Sequence, residues 1–320
     1  MSSTTRVATM TAVLFAIGLS SEPAPLAAQA RQQAVLVTGA SSGIGLQITK
    51  RLAAKGHYVY AGARSAEDLR ALDAMDNVQA VRLDVTRQDE IDAAVETVRR
   101  GGRGLHGLVN NAGVAILAPM IETEEEDLIF QMNVNVYGPY RVTKAFAPLL
   151  IESRGRVSTI GSINGIIAGP FSGPYAMSKH AMEAFADALA IEMGALGVTV
   201  SIVEPGRFRS EMSANVMRRW RDKHRTTEGS RFETQYQQMV SSFSPENERR
   251  YPEPVMVAEA VEHALFDPSP KLRYLVAPSA PQAHAAVRRA IERAVELNQG
   301  QPFSLDRAGL VALLDSALAR

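Results

Sequence analysis

The sequence predicts an α/β fold, a single domain built on a doubly wound parallel sheet. From Ala34 onward, short apolar segments rich in β-branched residues alternate with longer amphipathic segments of helical spacing. The alternation recurs six times, which indicates parallel strands joined by helices that cover both faces of the sheet. The first strand leads through a glycine-rich turn directly into a helix, the position where such sheets bind nucleotides.

Seven segments are predicted to be strands because they are short, apolar and rich in β-branched residues. In chain order they read "AVLVT", "YVYAG", "VQAVRLDV", "LHGLVNNAG", "GRVSTIG", "VTVSIVEPG" and "LRYLV". Short connections and right-handed crossovers then arrange them as the dinucleotide-binding sheet of the Rossmann fold.

Amphipathic spacing predicts helices between these strands. The first, "GLQITKRLAAKG", ends on Gly56, and "AEDLRALDAM" and "QDEIDAAVETVRR" follow. One long helix is predicted from about Glu124 to Ile151, and another carries Tyr175. Residues 207–250 are polar, irregular and mildly basic, and helices are expected again at 255–266, 283–298 and 305–318.

The predicted organisation has three parts: a leader at residues 1–30, the sheet domain at 31–280 and a C-terminal helical extension at 281–320. In the leader, Arg6 precedes an apolar run from Val7 to Leu19, and an Ala-x-Ala sequence ends at Ala30, as in a signal peptide. A bilayer span needs roughly 20 apolar residues, so the run is too short to cross a membrane. A cytoplasmic protein with an unstructured tail and a protein exported to the periplasm or beyond both remain open.

Composition excludes several classes of function. The 34 basic and 34 acidic residues balance to a formal net charge of zero, which argues against a nucleic-acid partner. The sequence contains no cysteine, so disulfides, thiolate metal ligands and thiol nucleophiles are excluded. Six scattered histidines without a His-x-x-x-His pair argue against a zinc site, and no metal is expected.

The turn in "LVTGASSGIGLQ" is the candidate phosphate site. Glycine allows the backbone to approach a pyrophosphate closely, and the following helix offers unpaired N–H groups and positive potential at its N-terminus. The alternative is an ordinary glycine-rich connection. The spacing is Gly-x-x-x-Gly-x-Gly and differs from the common Gly-x-Gly-x-x-Gly pattern. The residues expected to contact the nucleotide here are Gly39, Ser41, Ser42, Gly43, Ile44 and Gly45.

A tyrosine and a lysine in "PYAMSKHA" form the candidate catalytic pair. Tyr175 and Lys179 are four residues apart and therefore share one face of a helix. The spacing alone also fits two surface side chains. A phenol has an ordinary pKa near 10, and a nearby ammonium favours its ionised form.

These motifs together resemble the short-chain dehydrogenase/reductase family over roughly residues 34–280. Thr38 opens the glycine turn, Asn110 to Gly113 form the "NNAG" that ends the fourth strand, and Ser162 precedes Tyr175 by 13 residues, as in the family. "LDV" and "VNVYG" match two further family segments. The resemblance adds the following expected contacts with the nucleotide: Asp84 with the adenine, Asn111, Ala112 and Gly113 after the fourth strand, and Pro205, Gly206 and Ser210 beside the nicotinamide, with serine replacing the usual threonine.

The resemblance also implies a reaction, the hydride transfer of an NAD(P)-dependent alcohol dehydrogenase or ketone reductase. Tyr175 is expected to act as general acid or base, with its pKa lowered by Lys179 and by an oxidised nicotinamide. Ser162 is expected to hydrogen-bond the substrate oxygen, and Lys179 to bind the nicotinamide ribose. Asn135, in "VNVYG", is expected to hold a water that links Lys179 to solvent.

The end of the second strand predicts the cofactor. An acidic residue at the end of this strand would bind the ribose of NAD. Ala63 occupies that position instead, and Arg64 follows it. This favours NADP, with NAD possible, unless Arg64 is only a solvated loop residue. Ser42 stands where many NADP-preferring members carry a basic residue.

Two segments, "VEPGRFRSEM" and "PKLRYLVAPSA", resemble the retinol dehydrogenase and 17β-hydroxysteroid dehydrogenase branch. That branch implies a small lipophilic substrate, a steroid- or retinoid-like alcohol or its carbonyl, under a lid at about 207–250. The apolar lid residues are Phe208, Met212, Met217, Trp220, Phe232, Tyr236, Met239 and Phe243; helices packed on the core would explain them equally.

Other interpretations remain open. The basic run Arg218, Arg219, Arg221, Lys223 and Arg225 is expected to be a solvated face, and it gives no firm evidence of membrane contact. A short-chain or acyl-chain ketone reductase and a non-catalytic nucleotide-binding protein are the alternative functions. The family resemblance implies a homodimer or homotetramer.

Overall fold

The computed structural model describes residues 32–319. It contains seven strands, in chain order β1 (Ala34–Val37), β2 (Tyr58–Ala63), β3 (Val78–Arg82), β4 (Gly107–Asn110), β5 (Arg156–Ile160), β6 (Thr199–Pro205) and β7 (Arg273–Val276). They form one parallel sheet in the order β3-β2-β1-β4-β5-β6-β7. The prediction of a doubly wound parallel sheet is confirmed. The strand order reverses between β1 and β4, where such sheets open a crevice.

Helices cover both faces of the sheet, which is why β1 and β4 are buried along their whole length. The helices are α1 (Gly43–Ala54), α2 (Ala66–Asp73), α3 (Gln88–Gly101), α4 (Glu125–Met132), α5 (Gly138–Glu152), α6 (Gly173–Gly194), α7 (Met212–Asp222), α8 (Glu233–Ser241), α9 (Pro245–Arg249), α10 (Val255–Phe266), α11 (Ala280–Asn298) and α12 (Arg307–Leu318). Val98 of α3 and Phe146 of α5 pack in the core on one face, and Ile48 of α1 and Val261 of α10 on the other.

The long helix predicted at 124–151 is interrupted. A π-helical turn, Asn133–Tyr137, separates α4 from α5. Pro139 has no N–H and cannot donate to the Asn135 carbonyl, as an uninterrupted α-helix would require. Gly138 lies so close to the loop after β3 that a Cβ at this position would be 2.6 Å from Val85 Cγ2. Such turns occur often at functional sites.

Residues 207–250 are more regular than expected, since they contain α7, α8 and α9. The prediction that the basic run is only a solvated face is wrong for three of its members. Arg219, Lys223 and Arg225 all contact Asp127 of α4, whose side chain is 0% exposed. Burial would raise the pKa of Asp127, but hydrogen bonds from Arg219 and Lys223 and the charge of Arg225 together lower it. That this segment acts as a substrate lid stays a prediction.

The C-terminal part agrees closely with the predicted elements, because α10 spans 255–266 and α11 and α12 occupy the extension. α11 begins three residues earlier than expected, at Ala280. Between residues 32 and 319, no helix is long and apolar enough to cross a bilayer. The leader at 1–30 lies outside the described residues, and the signal-peptide interpretation and the domain boundaries stay predictions.

Candidate active site

The carboxyl ends of β1, β4, β5 and β6 open into one cavity of about 460 Å³. Because all strands are parallel, the residues that follow them meet at the same edge of the sheet. Every residue predicted to act in catalysis or cofactor binding lines this cavity: Gly39, Ser41, Ser42, Gly43, Ile44, Gly45, Arg64, Asp84, Asn111, Ala112, Gly113, Asn135, Ser162, Tyr175, Lys179, Pro205, Gly206 and Ser210.

The glycine turn fits a dinucleotide phosphate. Gly39 adopts φ = 64°, and a Cβ there would lie 2.9 Å from Ala112 Cα. At Gly45 a Cβ would collide with the Gly39 carbonyl oxygen and the Asn111 amide nitrogen. α1 begins at Gly43 with neither a side-chain cap nor an acidic residue in its first turn, so its terminal N–H groups and positive potential face the cavity without a competing anion.

The "NNAG" motif fixes the shape of that turn. The Asn111 side-chain amide donates to the carbonyls of Thr38 and Gly39, both at 2.9 Å. In return, the buried Thr38 hydroxyl accepts from the backbone N–H groups of Asn111 and Ala112 at 3.0 Å. The side chain of Asn111, predicted as a cofactor contact, is therefore committed to joining the ends of β1 and β4.

Ser162, Tyr175 and Lys179 converge on the cavity from two elements. Tyr175 and Lys179 lie one turn apart on α6, with the ammonium 5.7 Å from the centre of the phenol ring. Lys179 is buried, and its Nζ donates to the Ile160 carbonyl at 2.8 Å. Ser162 follows β5 in extended conformation, and its Oγ accepts from the Asn164 N–H at 3.1 Å.

The pKa values of the pair shift in directions set mainly by burial. Burial raises the pKa of Tyr175, and a hydrogen bond with Ser162 offsets only part of this rise. Burial lowers the pKa of Lys179 to about 8, against the opposing charge of Glu183. Burial therefore sets the direction of the shift in the free chain, and the expectation that Lys179 and an oxidised nicotinamide together lower the pKa of Tyr175 stays a prediction.

The Asn135 side chain is engaged with backbone and helix groups. Its Oδ1 accepts from the Val114 N–H at 2.8 Å, and its Nδ2 donates to the Val114 carbonyl at 2.9 Å and to Ser178 Oγ at 3.1 Å. Gln131, one turn earlier, accepts from the Ile116 N–H and also donates to Val114. Asn135 thus joins the π-helical turn to α6 and to the segment after β4, which lines the cavity.

The segment after β6 closes the cavity on the side of the glycine turn. A Cβ at Gly43 would lie 3.4 Å from the Ser210 Cβ, so the two loops are in contact range. The Ser210 N–H donates to Glu248 at 2.9 Å. Gln282 of α11 accepts from the Arg207 N–H at 2.8 Å, so the C-terminal extension supports this segment.

Arg64 follows β2 and lines the opposite end of the cavity. Its side chain is 66% exposed, and its closest carboxylate oxygen, on Asp84, is 3.9 Å away. The Asp84 carboxylate accepts from the Thr86 N–H at 2.9 Å and from its hydroxyl at 2.7 Å, which holds the loop after β3. Arg64 is therefore only weakly paired.

Apolar side chains line part of the cavity. Of the eight lid residues singled out from sequence, Phe208, Met212 and Phe243 line it. Trp220 and Tyr236 instead pack edge to face, with ring centres 5.2 Å apart. Among residues 32–319, no three potential metal ligands of the His, Cys, Asp or Glu types come together.

A comparison with known families settles the membership of the chain. The sequence profile described as "short chain dehydrogenase" matches residues 33–220, more than half of the sequence. The chain belongs to this family. The resemblance inferred from the motifs is thereby confirmed.

Relatives of this short-chain dehydrogenase carry several names. The chain is 42% identical over 186 residues to rat mitochondrial D-beta-hydroxybutyrate dehydrogenase. This match covers 55% of the chain and 54% of the relative, so the chain spans about half the length of that protein. It is 36% identical over 258 residues to human 17-beta-hydroxysteroid dehydrogenase type 6, covering 75% and 79%. The similarity to the hydroxysteroid branch is confirmed.

Solved structures share the fold. The chain is similar to a variant of actinorhodin polyketide ketoreductase whose crystal structure contains NADPH, at a TM-score of 0.65 and 29% identity, covering 79% of this chain and 97% of that one.

Sequence reasoning missed three residues that shape the dehydrogenase site. Gln131 lies one turn before Asn135 on the same helix face, a spacing that could have revealed it. Glu204 is the one charged residue of β6, a strand buried from Val200 to Pro205, and this position indicates a buried carboxyl. Glu183 follows Lys179 by four residues, but nothing local distinguishes it from a surface glutamate.

Proposed function

We propose that the protein is an NADP(H)-dependent oxidoreductase that interconverts a steroid- or retinoid-like alcohol and its ketone or aldehyde. The observation that carries the proposal is the convergence of Ser162, Tyr175 and Lys179 on the cavity that also contains the glycine turn. A nucleotide-binding protein without turnover would not need a phenol and an ammonium in this arrangement.

In this proposal each side chain has one task. A bound nicotinamide dinucleotide supplies or accepts the hydride. Tyr175 donates a proton to the substrate oxygen in reduction and removes it in oxidation. Ser162 hydrogen-bonds that oxygen, and Lys179 binds the nicotinamide ribose. Because burial raises the pKa of Tyr175, the chain's own groups favour the proton-donating phenol, the form that carbonyl reduction requires.

NADP is the preferred cofactor in this proposal because Arg64 is exposed, weakly paired and close to the cavity. A guanidinium here suits a 2′-phosphate, and Ala63 leaves no carboxylate to repel one. The similarity to a ketoreductase crystallised with NADPH supports this choice.

The apolar substrate class is supported by the charges around the cavity. Three basic residues line it in the described part of the chain, namely Arg64, Lys179 and Arg207. Lys179 is bonded to the Ile160 carbonyl, and the Arg207 guanidinium stacks 4.2 Å from the centre of the Tyr251 ring. A substrate carboxylate therefore has only Arg207 as a new partner at this end, whereas Phe208 and Phe243 suit an apolar body.

A second candidate is a short-chain hydroxy acid or acyl-chain ketone, because relatives are named hydroxybutyrate dehydrogenase and polyketide ketoreductase. A panel of steroids, retinoids, simple ketones and 3-hydroxybutyrate, followed by nicotinamide absorbance with each cofactor, tests both. We expect turnover of the lipophilic carbonyls with NADPH. Turnover of 3-hydroxybutyrate alone, abolished by Arg207→Ala, would overturn the apolar class.

We also propose a homodimer or homotetramer. Large apolar side chains are exposed on the long helices, including Ile129, Tyr140 and Ile191, the last at 79% exposure. Light scattering of the purified protein tests this. For location, a cytoplasmic protein is proposed unless the leader is cleaved, and mass spectrometry that finds Met1 or Ser2 intact would exclude cleavage after Ala30.

A further inference from the structure

Two carboxyl groups, one buried and one partly buried, lie behind the wall of the cavity. Glu183 follows Lys179 by one turn of α6, and Glu204 lies on β6 directly before Pro205. Glu204 is 2% exposed, and its carboxyl approaches the same Arg273 side chain as the carboxyl of Glu183. The Oε1 atoms of both residues are buried and receive no donor from the rest of the described chain. A proton on one carboxyl would give the other a donor that the chain does not otherwise supply, whereas two ionised carboxylates cannot hydrogen-bond.

The contacts around the pair also favour a proton on Glu204. Arg273 of β7 lies between the two carboxyls, its Nε 3.2 Å from Glu183 Oε2 and 3.6 Å from Glu204 Oε1. Its Nη2 also binds Asp187 of α6 at 2.7 Å. With Lys179, two cations face three carboxyls, and the turn at 161–165 adds no charged side chain. Arg273 makes its shorter contacts with Glu183 and with the half-exposed Asp187, and Glu204 has only the 3.6 Å contact, so burial favours the neutral form of Glu204.

The pair is packed directly against the catalytic turn. A Cβ at Gly165 would lie 2.6 Å from Glu183 Oε1, and one at Gly161 would lie 3.3 Å from it. These glycines flank Ser162 on both sides. Glu183 thus supports the turn that presents Ser162, while it lies on the same helix face as Lys179.

We propose that Glu183 and Glu204 share one proton, and that Glu183 is a positioning residue that keeps Lys179 charged and supports the Ser162 turn. The proton resides on Glu204 and is donated to Glu183, which remains an anion one turn from the ammonium. The positioning role rests on the proposed function, because the charge of Lys179 matters for that reaction.

The directions of the pKa shifts agree with this arrangement. Burial, followed by the charge of Glu183, raises the pKa of Glu204 to about 8. Burial lowers the pKa of Lys179 to about 8, and the charge of Glu183 opposes that fall. Glu204 binds its proton more tightly in the folded than in the unfolded chain. It therefore stabilises the fold most below its unfolded pKa, and this stabilisation is lost as the pH rises through 8.

The shared proton is tested on the free protein by following glutamate carboxyl carbons by NMR against pH. We expect one carboxyl to titrate near pH 8 in the wild type, to be absent from the spectra of Glu204→Gln, and to titrate at lower pH in Glu183→Gln, where the charge of Glu183 is lost but burial remains. Asp187→Asn, which loses a contact with the same Arg273, is the matched control and should keep the signal. If every glutamate titrates below about pH 6, the shared proton is excluded.

The positioning role is tested by the pH dependence of kcat/KM. In Glu183→Gln the alkaline limb should move down by about one pH unit or more, because the ammonium loses its counter-charge. In Asp187→Asn the alkaline limb should stay in place. Glu204→Gln should resemble the wild type near neutral pH, because its amide can still donate to Glu183. An unmoved limb in Glu183→Gln would exclude the role. The NMR titration needs no substrate, so its outcome is independent of the proposed function, which Tyr175→Phe tests.

Discussion

The nucleotide half of the cavity and the half covered by residues 207–250 are stabilised by different interactions. The first is built from buried parallel strands, close glycine contacts and the clamp between Thr38 and Asn111. The second is fastened largely by charge, with three cations on Asp127 and with Glu122 accepting from Ser230 and from the Arg231 N–H.

The contrast teaches how each half can change. Backbone shape in the first half is set by many packing contacts at once, so most single side chains there are replaceable but the glycines are not. The second half depends on a few ionic contacts, and the loss of the Asp127 carboxylate would break the contacts of three cations at once. We therefore expect mutations in residues 207–250 to change KM for the substrate without changing nucleotide binding.

The largest expected effect is the loss of chemistry without loss of nucleotide binding. Tyr175→Phe removes the proton donor and should lower kcat by about 10²–10⁴-fold, the usual contribution of general acid–base catalysis, while the Kd for NADPH changes little. Stopped-flow turnover and fluorescence titration measure the two quantities. Tyr58→Phe, which loses only a bond to Gln79, is the control. Near wild-type turnover in Tyr175→Phe would refute the mechanism.

Asp127→Asn tests the ionic half. Removing one partner of a buried ion pair costs about 3–5 kcal/mol, and here Arg219 and Arg225 lose their counter-charge while Lys223 keeps only the exposed Glu126. We expect faster proteolysis within 207–250 and a higher KM for the apolar substrate, with an unchanged Kd for NADPH.

Glu126→Gln is the matched control, because Glu126 binds the same Lys223 but is 79% exposed. Since the pKa of Asp127 is lowered in the fold, its stabilisation should be present above its unfolded value and disappear as the pH falls through the lowered one. Loss of nucleotide binding in Asp127→Asn would show that the halves are not separable.

Gly45→Ala tests the packed half. The added methyl group would collide with the Gly39 carbonyl and the Asn111 amide, and overpacking of this kind costs about 1–3 kcal/mol. Weaker NADPH binding and a lower Tm are the expected results. In Gly194→Ala, which adds a methyl group in open space on α6, neither should fall. Equal behaviour of the two variants would contradict the close-approach argument.

The smallest effect is expected at Arg64. Because its side chain is exposed, Arg64→Ala should cost about 1.4 kcal/mol, roughly a tenfold rise in the Kd for NADPH, and leave NADH almost unaffected. Arg87→Ala, which removes another exposed guanidinium, is the control. Equal weakening of both nucleotides would refute the phosphate contact.

The same contrast explains what could be predicted from sequence. The strands, the glycine turn and the pairing of Tyr175 with Lys179 follow from local patterns, and the cavity contains all of them. The ion pairs of Asp127 could not be predicted, because α4 and α7 are about 90 residues apart. Charged residues on a helix are also predicted from sequence to face solvent. Desolvation of Tyr175 is likewise a property of the assembled cavity, and composition does not encode it.

The π-helical turn at Asn133–Tyr137 has a consequence for chain length. Each residue of a helix turns it by about 100°, so deleting one residue here would rotate the start of α5 and carry Val142 and Phe146 away from the sheet. Insertions or deletions at this turn should therefore be poorly tolerated. The largely exposed connection from α11 to α12 has no such phase to preserve and is the better place for a tag or a spliced sequence.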